Sequence, residues 1–333
     1  MSDYVCRKLS PPLRDALSDN LEDFWQSIFQ AVDGSPKAIL CGEEINHNTD
    51  RVYVACHGEE IAATVQLTIS GLDRRLGGLS NVATAERHRG KHLASRLCAA
   101  AATDFDRAGG EALFLGTVNP IAARVYRKTG WVYIPGTKVM VRLRESQLPE
   151  EFMINVFQVL SGQSVSIQEL TPSERINIIP LILFPHQWVV LDMNVDLFST
   201  RFATQISCMG LFPRYRNLLD EGGKAWLAIA RNSGPMIGIA TAKPVTSEMW
   251  QVDGFAHPYF TTQHTLLMDT VIKWGGQQGL DSLRVQFVDH DFEKIECYKN
   301  MGFAKRSIAP EVKIAQNTYR SCYLYKALQH TAQ

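Results

Sequence analysis

One short pattern occurs twice in this chain, and its spacing is the strongest constraint on the fold. Residues 119–131 and residues 291–303 each contain Tyr, then a basic residue, then Gly and an aromatic residue at identical intervals. The two tyrosines are Tyr126 and Tyr298, and 298 minus 126 gives 172, the same difference that separates the two glycines. A fixed offset carried through several residues predicts an internal repeat.

The order of predicted elements repeats around this pattern. From residue 51 to residue 143, apolar alternation, glycine turns and helical periodicity predict strands, a helix, a strand, a second helix and a closing hairpin. The same order recurs between residues 225 and 327. A polar stretch at 144–151 separates the two, and 333 residues suffice for two domains of about 150 residues. We therefore predict two copies of one α+β or mixed α/β fold, in domains 1–147 and 148–333, each with one central β-α-β crossover.

The composition is that of a soluble globular protein. Hydrophobic residues make up 45% of the chain, and Lys plus Arg balance Asp plus Glu at 34 each, so no bulk charge favours nucleic acid or an anionic membrane. No stretch approaches the ~20 apolar residues of a membrane span, and the N-terminus has no apolar run of signal-peptide length. Seven dispersed cysteines without CxxC spacing indicate reduced thiols. We expect a cytoplasmic protein without a membrane or nucleic-acid partner.

Residues 81–97 carry the clearest chemical signal. A β-prone run ends at Thr84, a short basic turn surrounds Gly90, and a segment rich in Ala and Leu with helical periodicity follows at once. A helix N-terminus after a glycine turn binds anions, because unpaired backbone N–H groups and the helix dipole point at the turn. Three basic residues supply countercharge: Arg87, Arg89 and Lys91. This pattern predicts a diphosphate site.

The second copy differs from the first at this turn. Carrying the offset of 172 back along the chain places Thr262 on Gly90 and His264 on His92. The corresponding turn, 257–264, contains neither glycine nor arginine. We therefore predict that the C-terminal copy has lost or weakened the anion site.

These residues carry a family resemblance. Residues 87–92, Arg-His-Arg-Gly-Lys-His, resemble the R/Q-x-x-G-x-G/A pyrophosphate loop of the GNAT (general control N-acetyltransferase-related) superfamily. The N-x-x-A-x-x-x-Y-x-x-x-G-[FW] pattern of that family is matched by Asn119, Ala122, Tyr126, Gly130 and Trp131. The resemblance is strong over 50–143, weaker over 1–50 and degenerate but in register over 165–327. One residue departs from the pattern, since His92 stands where the family usually has Gly or Ala.

The resemblance implies two tandem acyl-CoA N-acyltransferase domains, each a mixed, mostly antiparallel sheet flanked by helices. It implies an enzyme, an N-acetyltransferase that moves an acetyl group from acetyl-CoA to a primary amine by direct transfer in a ternary complex. Tyr126 would be the general acid for the leaving thiolate, and the Thr84 amide a donor to the oxyanion. The residues that it implies for acetyl-CoA binding are Val82, Ala83, Thr84, Arg87, His88, Arg89, Gly90, Lys91, His92, Leu93, Ala94, Asn119 and Tyr126.

Several alternatives stay open at this point. Asn119 either caps its helix or holds the cofactor, and His92 either crowds the phosphates or bonds to them. No carboxylate lies on the strand ending at Thr84, so the general base is left unassigned, a water chain being one alternative. No spacing indicates a metal site. The acceptor is a small-molecule or peptide amine, and the chain is a monomer or a homodimer. The competing functions are a non-catalytic acyl-CoA sensor or partner-binding module, and a protein in which both copies bind acetyl-CoA.

Overall fold

The computed structural model describes residues 4–29, 36–158, 164–230 and 234–328. Within these residues, two sheets of seven strands form the framework. The strands of the first sheet are β1 (Tyr4–Leu9), β2 (Asn48–His57), β3 (Glu60–Ser70), β4 (Leu76–Thr84), β5 (Ala112–Gly116), β6 (Val132–Tyr133) and β7 (Val139–Leu143). The strands of the second sheet are β8 (Val165–Glu169), β11 (Lys224–Ala230), β12 (Met236–Pro244), β13 (Met249–Ala256), β14 (Ser282–Val288), β15 (Lys305–Ile314) and β16 (Asn317–Ala327). Two short strands, β9 (Val190–Asp192) and β10 (Leu197–Phe198), form a separate pair.

The two helices predicted in each copy are present, together with helices that the sequence patterns do not predict. The helices are α1 (Asp15–Phe29), α2 (Lys37–Leu40), α3 (Leu93–Arg107), α4 (Pro120–Arg127), α5 (Pro149–Gln158), α6 (Ile178–Leu183), α7 (Leu211–Asp220), α8 (Thr261–Gln277) and α9 (Phe292–Asn300). Single 3-10 turns stand at 86–88 and 258–260, just before α3 and α8. No helix in the described ranges is long and apolar enough to cross a membrane.

The two sheets have the same topology, which confirms the predicted repeat. The first has the order β1-β2-β3-β4-β5-β7-β6, and the second has the order β8-β11-β12-β13-β14-β16-β15. In each sheet the fourth and fifth strands in this order run parallel, joined by a helix, while the neighbouring strands run antiparallel. The mixed, mostly antiparallel sheet and its central β-α-β crossover are therefore as predicted.

Helices pack on both faces of the first sheet, which explains why β3 is buried along almost its whole length. Leu97, Ala101 and Phe105 recur at helical spacing on α3 and are buried against one face. Trp25 of α1 is fully buried against the other face, where its indole N–H donates to Thr64 Oγ1 at 2.9 Å. β3 is therefore buried on both faces, although polar residues alternate along it from Thr64 to Ser70.

The parallel pair in each sheet is joined for only part of its length. β4 pairs with β5 over Leu76–Gly78, whereas β4 continues to Thr84. β13 likewise pairs with β14 over Met249–Gln251, whereas β13 continues to Ala256. The last residues of the longer strand therefore leave the sheet ladder on that side and open a cleft between the two strands.

The chain forms two compact units, and the first recruits residues from beyond the predicted boundary. It comprises residues 1–152, 171–179 and 206–213, and the second unit contains the rest. In the first unit the Arg175 guanidinium bonds Asp50 Oδ2 at 2.6 Å and lies 3.2 Å from Glu44, with all three side chains buried. The boundary at residues 147 to 148 remains a prediction about independent folding, and Arg175 lies on its far side.

Two local predictions differ from the structure. The linker expected around 144–151 contains the start of α5 at Pro149. The sequence patterns predict only the last strand, β16, after the glycine turn at Gly302, and they do not predict β15. β15 alternates apolar and polar residues weakly and is exposed along much of its length, so its strand signal is faint.

Candidate active site

The open end of β4 presents backbone groups to the cleft. The Ala85 N–H donates to Ala62 O at the side of β3, at 2.9 Å. Because successive N–H groups of a strand point to opposite edges, the Thr84 N–H points away from β3, toward the side on which β5 has diverged. A bulge marks the same place: Asn81 has φ 50°, and the register with β3 shifts between Thr64 and Gln66. An extended, amide-bearing molecule can pair with such an edge.

The loop after β4 has the backbone of an anion site. Gly90 has φ +78°, and a Cβ added there would meet nothing within 4 Å. α3 begins at Leu93, and the first N–H groups of a helix have no partner within the helix. Gly90, Lys91 and His92 are all exposed, whereas Leu93 is buried and anchors the helix start. The turn is thus open to a ligand on the side where the helix dipole is positive.

His92 has a left-handed backbone, which explains why the family favours Gly at its position. The φ and ψ angles of His92 are 56° and 21°, and its side chain makes no capping bond to α3. This region of conformational space is unfavourable for side chains with a Cβ and free of cost for glycine. The histidine therefore costs backbone energy at the helix start, and the residue is exposed to solvent.

The basic residues of the turn are not equivalent. Arg87 Nε donates to Glu60 Oε1 at 2.7 Å, and this guanidinium holds the pKa of the Glu60 carboxyl below its usual range. Lys91 Nζ donates to the Tyr4 hydroxyl at 2.7 Å. Arg89 is exposed between them, and its side chain makes no hydrogen bond to the described residues. Arg89 is therefore the side chain of the three that is ready to meet an anion.

Tyr126 lies buried on α4 and keeps its proton. The residue is 8% exposed, and burial is the main cause of a strongly raised pKa for its phenol. Within the part of the chain that the structure describes, the Tyr126 hydroxyl makes no hydrogen bond. A neutral phenol without a competing acceptor is suited to donate a proton to an incoming group.

Asn119 holds the start of α4. Its Oδ1 accepts hydrogen bonds from Ile121 N at 2.9 Å and from Ala122 N at 3.3 Å. The capping role considered for this residue is therefore present in the structure, and it fixes the helix that carries Tyr126.

One apolar cluster unites part of the predicted set. The buried residues Leu93 and Tyr126 belong to it, and Val82 and Ala122 pack against it. Ala83 points to the opposite face of the sheet and packs with Trp25 instead. Cys98 also lies in the cluster, and burial raises the pKa of its thiol to about 12, so this thiol is an apolar filler.

The equivalent cleft of the second unit is filled by its own side chains. Lys294 Nζ lies 2.6 Å from Asp253 Oδ1 and donates to Val190 O at 2.9 Å. The Tyr298 hydroxyl, the counterpart of Tyr126, donates to Asp253 Oδ1 at 3.1 Å. Asp253 Oδ2 accepts from the backbone N–H of Met193 at 2.7 Å. Subtracting 172 places Asp253 on residue 81 and Lys294 on residue 122, so the network stands where the first unit has its bulge and a small alanine on α4.

Two residues at this site were missed by sequence reasoning. Tyr4 and Glu60 contact the basic turn from β1 and from the start of β3. They are 87 and 27 residues away from their partners, and neither lies in a recognisable motif. Strand pairing in the sheet brings them to the turn. Among the described residues, no group of three or more His, Cys, Asp or Glu side chains is placed to hold a metal ion.

Comparison with known proteins identifies the class of the first unit. Residues 14–131 match the model of the acetyltransferase (GNAT) family. This part of the chain is therefore a GNAT acetyltransferase domain, and the two sheets of equal topology make the protein a tandem arrangement of this fold. No curated protein sequence matches the chain.

Solved structures of GNAT proteins match about half of the chain. The ribosomal-protein-S18-alanine N-acetyltransferase of Escherichia coli is 11% identical, with a TM-score of 0.38, and the match covers 51% of this chain and 97% of that one. The spermidine/spermine N-acetyltransferase of Vibrio cholerae is 11% identical with a TM-score of 0.37, covering 50% and 94%. A GNAT family acetyltransferase of Elizabethkingia anophelis, solved with acetyl-CoA bound, is 15% identical with a TM-score of 0.34, covering 49% and 98%.

Proposed function

We propose that the protein is a cytoplasmic N-acetyltransferase that transfers the acetyl group of acetyl-CoA to a primary amine. The observation that carries the proposal is the continuity of three features: the cleft beside β4, the open turn at Gly90 and the N-terminus of α3. Together they offer strand-edge bonds to an extended arm and backbone amides to a diphosphate. The acceptor is an amine of a small molecule or a peptide.

The chemistry assigned to the chain is a direct transfer. The amine nitrogen attacks the thioester carbonyl carbon, the C–N bond forms, the C–S bond breaks, and the nitrogen releases one proton to solvent. The Thr84 N–H is proposed to donate to the carbonyl oxygen as negative charge develops there. The Tyr126 hydroxyl is proposed to give its proton to the departing sulfur: its raised pKa keeps it protonated at neutral pH, and it has no hydrogen-bond acceptor among the described residues.

The binding role is assigned mainly to backbone groups. The amides of Gly90 to Ala94 are proposed to hold the diphosphate, with Arg89 as the side-chain partner and His92 beside it. Val82, Ala83 and Thr84 would line the arm of the cofactor. Arg87, His88 and Lys91 would act at the rim of the turn, and Asn119 would act through the helix that it caps.

Two variants test this proposal, one through acetyl-CoA binding and the other through turnover. Gly90→Glu puts a carboxylate into the turn, and we expect titration calorimetry to show loss of acetyl-CoA binding. Tyr126→Phe removes only the hydroxyl, and we expect kcat to fall about 100-fold while acetyl-CoA affinity changes less than threefold. Turnover is followed by thiol release across a panel of amines.

A matched control separates charge at the turn from backbone strain. Gly109 also has positive φ, at +87°, and a Cβ added there would likewise meet nothing within 4 Å, but Gly109 lies after the other end of α3. Gly109→Glu should therefore keep acetyl-CoA binding. Loss of binding in both glycine variants, or in neither, would contradict the assigned site. Tight binding without thiol release for any amine would favour the non-catalytic acyl-CoA sensor instead.

A further inference from the structure

A chain of polar side chains ties the basic turn to two strands of the first sheet. Its centre is the hydroxyl of Tyr4 on the edge strand β1. This oxygen accepts from Lys91 Nζ at 2.7 Å and lies 2.8 Å from His88 Nδ1. The ammonium of Lys91 also lies 5.2 Å from the centre of the Tyr4 ring, within range of a cation–π contact. One tyrosine thus holds residues on both sides of Gly90.

The chain continues from His88 to the start of β3. His88 is 5% exposed, and its Nε2 lies 3.2 Å from Glu60 Oε1. The same carboxylate oxygen accepts from Arg87 Nε at 2.7 Å. In the neutral tautomer of His88 with its proton on Nε2, the bonds of this chain all run in one direction: Lys91 donates to Tyr4, Tyr4 to His88, and His88 to Glu60.

The consequence is a turn whose flanks are fixed and whose middle is free. Arg87 and His88 precede Gly90 and are held by Glu60 and Tyr4, while Lys91 follows it and is held by Tyr4. Arg89 and Gly90 remain exposed between these anchors. Backbone amides that are already oriented bind an anion without the entropy loss of ordering a loop.

We propose that Tyr4 is a positioning residue for the diphosphate of acetyl-CoA, acting through Lys91 and His88. The inference rests on the proposed function, since it names the part of the cofactor that the anchored turn receives. Tyr4 touches neither the thioester nor the acceptor in this assignment. Its hydroxyl sets the geometry of the turn, so its removal should weaken cofactor binding and leave the chemical step intact.

Tyr4→Phe tests this inference because the variant keeps the ring and loses only the hydroxyl. We expect KM for acetyl-CoA to rise about fivefold to tenfold, the effect of one lost hydrogen bond of ordinary strength, with kcat unchanged. S-acetylpantetheine carries the same thioester but no diphosphate. With this shorter donor, kcat/KM should be equal in the variant and the wild type, a result that a general loss of structure would not produce.

Tyr53→Phe is the matched control. The Tyr53 hydroxyl donates to Asp104 Oδ2 at 2.7 Å, so this variant also loses a tyrosine hydroxyl bond, but one to the C-terminal end of α3, remote from the basic turn. We expect its KM for acetyl-CoA to be that of the wild type. An unchanged KM in Tyr4→Phe, or an equal loss with S-acetylpantetheine, would overturn the inference while the wild type still turns over acetyl-CoA. If the wild type binds no acetyl-CoA at all, the proposed function itself fails.

Discussion

His92 stands at a position where the family favours glycine, and its left-handed backbone is unfavourable for a histidine. The family usually has Gly or Ala here, and the left-handed φ of 56° explains the preference for Gly. A residue with a Cβ costs about 1–2 kcal/mol in this region, more than the entropy that glycine adds to the unfolded chain. The side chain makes no capping bond that would offset this cost. The histidine is therefore retained against local backbone preference.

His92→Gly should stabilise the first unit. We expect its free energy of unfolding to rise by about 0.5–1 kcal/mol, because glycine adopts the left-handed backbone without strain. The measurement is the unfolding transition of the full chain, followed in urea. Arg89→Gly is the control, since Arg89 has φ −66° and glycine there only increases the freedom of the unfolded chain. A lower stability for both variants would show that the His92 backbone is not strained.

At the scale of elements, the same pair of strands serves two different purposes in the two copies. β4 and β13 both diverge from their parallel neighbours after a short pairing. In the first unit Val82 of β4 and the small Ala122 of α4 pack against the apolar cluster that contains Tyr126. In the second unit, Lys294 of α9 and the chain at Val190 occupy the corresponding position. The shared scaffold therefore permits a ligand in one copy and an internal polar network in the other.

The buried polar network of the second unit contains two carboxyl groups and one ammonium group. Asp192 and Asp253 are both fully buried, and Lys294 pairs with Asp253. Asp192 accepts instead from Thr241 Oγ1 at 2.9 Å and from Asn194 N at 3.0 Å. Burial, together with the charge of Asp253, raises the pKa of Asp192 to about 7. A carboxyl in this position keeps its proton under conditions in which exposed carboxyls are ionised.

Asp192→Asn should change the pH dependence of stability of the second unit. The folded state holds the Asp192 proton between about pH 4 and pH 7, where the unfolded chain has released it, so this group makes stability fall as pH rises through that window. Asparagine mimics the protonated acid. The stability of the variant relative to the wild type should therefore increase from pH 5 to pH 8.

The comparison must be a difference between variant and wild type, measured by urea unfolding at each pH. Burial lowers the pKa of His264 to about 3, so this histidine makes the free energy of unfolding fall as pH falls. Its effect on the pH dependence is opposite in sign to that of Asp192. Asp196→Asn makes the same chemical change at an exposed position and serves as control. A stability difference that is constant from pH 5 to pH 8 would contradict a protonated Asp192.

At the scale of the whole molecule, two copies of one topology carry one intact candidate site. The turn with Gly90 and the free hydroxyl of Tyr126 belong to the first unit. The second unit has neither glycine nor arginine in the turn before α8, and its Tyr298 hydroxyl is engaged by Asp253. We infer that the tandem arrangement provides one acetyl-CoA site per chain.

The stoichiometry of binding tests this inference. We expect calorimetric titration of the full chain to reach saturation at one acetyl-CoA per chain. The second cleft should stay closed to the cofactor, because opening it would leave Asp253 and Lys294 buried without their partners. Two equivalents in the wild type, with one retained in Gly90→Glu, would show that both copies bind.

Much of the fold was predictable because its signals are local. The β-prone run of β4, helical spacing in α3 and the glycine at position 90 each act over a few residues, and the predicted end of β4 at Thr84 is that of the structure. The repeat was also predictable, because the two tyrosines and the two glycines of the pattern are each 172 residues apart, and this spacing is read without knowledge of contacts. α2 and β15 escaped prediction because a four-residue helix and an exposed edge strand carry little periodic signal.

The sequence by itself determined the two copies, the strand-turn-helix around Gly90 and the loss of that turn in the second copy. Only the tertiary structure decided which side chains support or fill each site. Tyr4 reaches Lys91 and His88 because strand pairing brings β1 beside the turn, and Arg175 reaches Asp50 from 125 residues away. Lys294 enters the second cleft in the same way, from α9 onto β13. Such contacts depend on sheet register and helix packing over long separations, which residue patterns along the chain do not encode locally.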